Sequence, residues 1–194
     1  MLVEKAKRYA LDEHRFINQT YDGRDYGFHL EIAHAVYQHF AHLLDQFDYV
    51  SEIATECSVF LHDVLEDSWR VSYNKLKQDF GHKVAEVVYL VSEERGRTRS
   101  SRHNHKYLTG VASMTEATFV KLCDNIANVL ISCHTESSKF DMYRSEHSNF
   151  YDYLYIDEFC DMFNLLDTIY ATKKVSVEWV SVIEALEAKY PKLS

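Results

Sequence analysis

Proline and glycine are scarce: Pro191 is the single proline, and there are five glycines among 194 residues. Little therefore interrupts helical hydrogen bonding, because these two residues are the main breakers of a helix interior. No stretch approaches the ~18 consecutive apolar residues of a membrane span, and residues 1–16 are charged throughout, unlike a secretory signal. The reading predicts a cytoplasmic protein with no membrane partner. The four cysteines, Cys57, Cys123, Cys133 and Cys160, form no CxxC pair, and three of them lie in segments of helical apolar spacing. Buried, reduced thiols are expected there, not a disulfide framework. Positive charge is also in deficit, with 21 Lys and Arg against 30 Asp and Glu and a net charge of −9. Such a surface repels phosphate backbones, so no nucleic-acid partner is expected.

What is present points to one hydrophobic core. Hydrophobic residues make up 46% and charged residues 26% of a chain short enough for a single domain over 1–194. Apolar residues recur at three- and four-residue spacing through 3–16, 28–45, 50–66, 82–92, 115–133, 147–171 and 177–189, with a short helix at 72–79 behind Ser72 as N-cap. Turn chemistry sits at Tyr21-Asp22-Gly23, Phe80-Gly81, Arg95-Gly96 and Thr109-Gly110. The prediction is an all-α bundle with a small β-hairpin allowed near 15–28. The aromatic cluster of Phe150, Tyr151, Tyr153, Tyr155, Phe159 and Phe163 reads as packing. The segment 95–106 has no apolar residue and holds Arg95, Arg97, Arg99, Arg102 and Lys106. It is an ordinary solvated loop or a phosphate-binding one. The apolar stripe of 177–189 docks on its own domain or on a second copy, which leaves a homo-oligomer open.

Eleven histidines are the compositional oddity and prompt a search for metal ligands. The string Phe60-Leu61-His62-Asp63-Val64-Leu65-Glu66-Asp67 places four ionisable groups at the end of an apolar helix, where they are costly to bury unpaired. On a continuous helix His62 would lie over Glu66 and Asp63 over Asp67, giving two neighbouring polar rows. An imidazole nitrogen beside a carboxylate oxygen suits a divalent transition metal such as manganese, iron or zinc better than calcium. Two ligands bind weakly, and the chain offers two more: His29 at a helix start and Asp124 within an apolar helix. The other histidines, at 34, 39, 42, 82, 103, 105, 134 and 147, read as surface or satisfied core residues.

The order His29, then His62-Asp63, then Asp124 resembles the H…HD…D signature of the HD-domain metal-dependent phosphohydrolases. Within that superfamily the string HDVLEDS, the Tyr26-x-x-His29 pair, Phe80-Gly81-x-x-Val84 and Lys121-Leu-x-Asp124-x-x-x-Asn128 are similar to the hydrolase domain of the RelA/SpoT alarmone enzymes and their stand-alone small hydrolases. The similarity runs over about residues 10–155. The resemblance implies a mostly α-helical fold in which His29, His62, Asp63 and Asp124 hold one divalent ion, usually manganese. Glu66 and Asp67 would orient and deprotonate the attacking water, and Asn128 would contact the nucleotide. The implied reaction is hydrolysis of the 3′-pyrophosphate ester of guanosine tetra- or pentaphosphate. Arg24 and Arg144 are the further substrate-binding candidates, with Lys121 and Lys139 beside them.

The chain departs from the family pattern in two places. Asp25 and Leu30 stand where prolines are usual, and Thr20-Tyr21 stands where a basic pair packs on guanine, with Arg24 displaced nearby. A base would then stack on Tyr21 or Tyr26. This keeps a second reading open, the same centre acting on a deoxynucleoside triphosphate, a nucleoside monophosphate or a dinucleotide. A third reading is a catalytically silent helical module that binds a nucleotide or a protein.

Overall fold

The computed structural model describes residues 1–45, 48–93 and 104–193. Among them run eleven α-helices and one two-stranded ribbon, the all-α bundle with a small hairpin that the sequence predicts. The basic residues Arg95, Arg97, Arg99 and Arg102, and His103, lie outside the described residues.

Helix α1 (Leu2–Phe16) leads into β1 (Thr20–Tyr21) and β2 (Arg24–Asp25), paired antiparallel with Tyr21 opposite Arg24. Asp22 and Gly23 join the strands with φ of 50° and 72°, the left-handed pair that a two-residue hairpin turn requires. Helix α2 (Gly27–Phe40) follows and tightens into a 3-10 turn at Ala41–Leu44, so the predicted 28–45 helix changes pitch in its last turn. Helix α3 (Tyr49–Leu61) starts at Asp48, whose carboxylate accepts from the amides of Val50 and Ser51.

The predicted 50–66 helix is two pieces. It stops at Leu61 and resumes as the single turn α4 (Val64–Asp67). At the break the Nδ1–H of His62 donates to the carbonyl of Val59 at 2.8 Å, a side-chain partner for a carbonyl of the last helical turn. After α5 (Tyr73–Phe80), Gly81 at φ 93° turns the chain into α6 (His82–Val91). Helix α7 (His105–Ala112), capped by Asn104, begins inside the basic segment and was not signalled by apolar spacing. Helix α8 (Thr115–His134) is the longest, and α11 (Val177–Lys189) closes the described chain. The 147–171 stretch, read as one long helix or a helix pair, is a pair: α9 (Lys139–Leu154) and α10 (Cys160–Thr172), joined through a 3-10 turn at Asp157–Phe159.

Two apolar clusters share three walls. One gathers Leu30, Phe60, Leu61, Val84 and Val88, and the other Phe28, Ile32, Val59, Val87 and Leu122. Helices α2, α3 and α6 thus present opposite faces to the two cores, and α8 packs on all three. His29, His62 and Asp124 converge where these helices meet. Cys57 and Cys123 are buried, while Cys133 and Cys160 are half-buried, and all four are free thiols. The aromatic cluster divides: Phe150, Phe159 and Phe163 are core, whereas Tyr151 is exposed and stacks on Tyr155 at 4.5 Å.

Candidate metal centre and active site

His29, from the first turn of α2, and Asp124, from the middle of α8, meet His62 at the break after α3. The Nε2 atoms of His29 and His62 are 3.2 Å apart, and Asp124 Oδ1 lies 3.2 Å from the first and 3.6 Å from the second. Among the described residues this is the one group of His, Cys and acidic side chains whose donor atoms converge closely enough for a shared ion. Asp63 adjoins it, with Oδ2 at 2.9 Å from His62 Nε2 and 3.8 Å from His29 Nε2.

The arrangement fits a divalent cation on its chemistry. Ligands held at about 2.1 Å from one ion are separated by about 3.0–3.5 Å, which the observed spacings bracket. Because His62 Nδ1–H donates to the Val59 carbonyl, its Nε2 is the atom turned towards His29 and Asp124, the orientation a metal-bound imidazole adopts. Asp124 is anchored from both sides. Its Oδ2 accepts from Lys121 Nζ at 2.8 Å and its Oδ1 from Asn128 Nδ2 at 2.6 Å. Burial opposes its ionisation, but the Lys121 charge and the histidine contacts hold its pKa well below the usual carboxylate range. Burial likewise opposes a proton on His62, yet the charges of Asp63 and Asp124 outweigh it and raise the imidazole well above its ordinary value. One buried carboxylate, Asp124, and one half-buried, Asp63, around two imidazoles call for positive charge at that point.

Asp63 has its own support. The Tyr26 hydroxyl donates to its Oδ2, and the Tyr26 ring stacks on His14 with centroids 4.1 Å apart. Asp67 sits one turn further on, with Oδ2 accepting from Gln19 Nε2 at 3.1 Å. Burial first, and then the neighbouring charges of Asp63 and Glu66, push its carboxyl up to about 7. Glu66 accepts from the Glu93 amide and shifts in the same direction for the same first cause, although its exposed side chain leaves solvent to screen the effect. The expected two polar rows on one helix are therefore replaced by a bend, which directs His62 inward and leaves Glu66 at the surface.

The substrate-binding candidates fare differently. Asn128 lines a cavity of about 220 Å³ beside Asp124, with Asn125, Tyr143 and Phe150. Its own amide is fully engaged, since Oδ1 accepts from the hydroxyls of Tyr21 and Tyr143. Arg24 must be corrected. Its guanidinium is buried against α11, donating to the Tyr190 carbonyl at 2.9 Å and to Glu187 Oε1 at 2.7 Å, so it is a clamp between hairpin and C-terminal helix. Arg144 is exposed and lines a separate depression with Ser148, Tyr151 and Asp167. Tyr26, named as a stacking platform, is buried with one face covered by His14, and Tyr21 stacks on His29 at 4.7 Å. Lys139 Nζ stands 5.7 Å from the Tyr21 ring. His14 and Gln19 escaped the sequence reading; His14 is a polar residue at the inner end of an amphipathic helix, and Gln19 lies between that helix and the hairpin, where no pattern marks it.

No family model matches the chain, and no curated protein matches it. Among solved structures, one described as a metazoan ortholog of SpoT that hydrolyses ppGpp and plays a role in starvation responses is similar over 90% of this chain and 97% of its own. The TM-score is 0.69 at 19% identity. The two chains share a fold. That shared fold with the SpoT ortholog is the α-helical one expected from the H…HD…D order, and this chain carries its converging His29, His62 and Asp124 within it.

Proposed function

We propose that the protein is a divalent-metal-dependent nucleotide phosphohydrolase, and that its substrate is guanosine 3′,5′-bis(diphosphate), cleaved at the 3′-pyrophosphate ester. The observation that carries this reading is the convergence of His29, His62 and Asp124, with Asp63 adjoining, on a fold similar to that of a ppGpp-hydrolysing protein. His29, His62, Asp63 and Asp124 would hold the ion; two nitrogens and two oxygens suit manganese, iron or zinc better than calcium, and manganese is the ion that the family resemblance implies. A divalent ion held by these residues would supply acidification of the attacking water and an offset to phosphate charge. The chain supplies the rest. Asp67, with its pKa near neutrality, accepts the proton of the attacking water, and Glu66 helps to orient that water. The ester bond to the ribose breaks, leaving GDP and free pyrophosphate. The cavity beside Asp124 receives the nucleoside, with Asn125, Asn128 and Tyr143 as its polar lining.

Release of pyrophosphate from guanosine tetraphosphate in the presence of manganese tests this directly. Turnover that disappears in Asp63→Asn and with a chelator is the expected result. Turnover of a different nucleotide alone would move the substrate assignment and keep the metal centre. A specific observation favours that second reading: with Arg24 bound to α11 and Thr20-Tyr21 in the hairpin, the described part of this corner offers no basic pair for guanine.

A further inference from the structure

His14 is a buried imidazole that the proposed chemistry leaves unused. It lies in the last turn of α1, 1% exposed, and neither ring nitrogen makes a hydrogen bond. Packing alone does not explain it, because a phenyl ring would fill the same space without stranding two polar atoms. Its Nδ1 lies 3.6 Å from Asp67 Oδ2, and its ring stacks on Tyr26, the residue that holds Asp63. Burial keeps the imidazole neutral, with a pKa down to about 4, so it presents one N–H and one lone pair. Gln19 donates to the same Asp67 oxygen at 3.1 Å, whereas Oδ1 accepts no hydrogen bond from the described residues.

We infer that His14 is a positioning residue for Asp67: its Nδ1–H, together with the Gln19 amide, pins Oδ2 and leaves Oδ1 for the attacking water. This rests on the functional reading of Asp67 given above. A small rotation of the carboxylate shortens the His14 contact to an ordinary hydrogen bond of about 2.8–3.0 Å. His14 touches neither substrate nor ion. It acts through Asp67, and Tyr26 on its other face does the same for Asp63, so one α1 side chain braces both halves of the site.

Two readouts test the inference. In two-bond ¹H–¹⁵N correlation spectra of the zinc-loaded protein, with the His14 signals assigned by their loss in His14→Phe, the ring is expected as the Nδ1–H tautomer. Asp67→Ala should abolish that preference. An Nε2–H ring, or a tautomer indifferent to Asp67, overturns the inference whether or not hydrolysis is seen. In pyrophosphate release, His14→Phe is expected to lower kcat by about 10- to 100-fold with KM within about twofold, the signature of a misplaced catalytic group. His14→Asn, whose amide nitrogen reaches the Nδ1 position, should recover most of the loss. Unchanged kcat in His14→Phe overturns the inference. Should that variant not fold, Gln19→Leu carries the same kinetic expectation. A parent that hydrolyses no nucleotide refutes the functional reading, and the tautomer still decides the His14–Asp67 pairing.

Discussion

Four ionisable side chains packed at a helix junction need partners for their charges and lone pairs, and three of the four find them in residues around the site, while His29 Nδ1 makes no hydrogen bond. Lys121 and Asn128 bracket Asp124, the Val59 carbonyl turns His62, and Tyr26 holds Asp63. Groups of this kind act on affinity more than on chemistry. Tyr26→Phe removes one hydroxyl and keeps the stack on His14, so manganese affinity should fall by about tenfold in calorimetric titration while the unfolding midpoint moves little. Unchanged affinity would show that Asp63 needs no such support. At this scale the sequence was informative about identity and poor about geometry. His29, His62, Asp63 and Asp124 are the set that the resemblance to the H…HD…D signature implies, and the structure brings them together. Arg24 was named from its charge, yet that charge is neutralised by Glu187, 163 positions away, which no local pattern shows.

The elements carry the site through one close approach. Gly27, at the start of α2, is the point where hairpin, α1 and α11 meet: a Cβ there would come within 2.6 Å of Leu11 Cδ2, 2.8 Å of Tyr190 Cε1 and 2.9 Å of Asp25 Oδ1. Gly27→Ala is expected to destabilise the protein by about 1–3 kcal/mol through overpacking and to loosen the Arg24 clamp on α11, read as a lowered midpoint in chemical denaturation. A midpoint equal to the parent would mean that Leu11 and Tyr190 yield freely. Most helix positions were legible from apolar periodicity, because each helix has one face turned to a core. The breaks were less so. At the His62-Asp63 interruption a side chain bonds a backbone carbonyl, which apolar spacing does not signal, and α7 begins among residues with no apolar period at all. The split of 147–171 into two helices likewise follows from Tyr155 and Ile156 adopting extended backbone, in a run whose apolar spacing continues unbroken.

Across the whole molecule, the site is also where the fold is sensitive to acid. The His14 imidazole has a folded pKa of about 4 against an ordinary 6.5, so below pH 6.5 the unfolded chain takes up a proton that the folded chain refuses. Stability from this group is therefore complete above pH 6.5, declines as pH falls towards 4, and is worth about 3 kcal/mol over that window. The difference in unfolding free energy between the parent and His14→Phe should follow that slope; a constant difference from pH 7.5 to 4.5 would exclude His14 as its source. By itself the sequence determined the helical class, the sites of most helices and the identity of the candidate ligands, because periodicity and ordered motifs are properties of neighbours along the chain. Only the tertiary structure decided which charges are free. Lys121 faces Asp124, Arg24 faces α11, and His14 reaches Asp67, since burial and pairing depend on which distant segments the two cores press together.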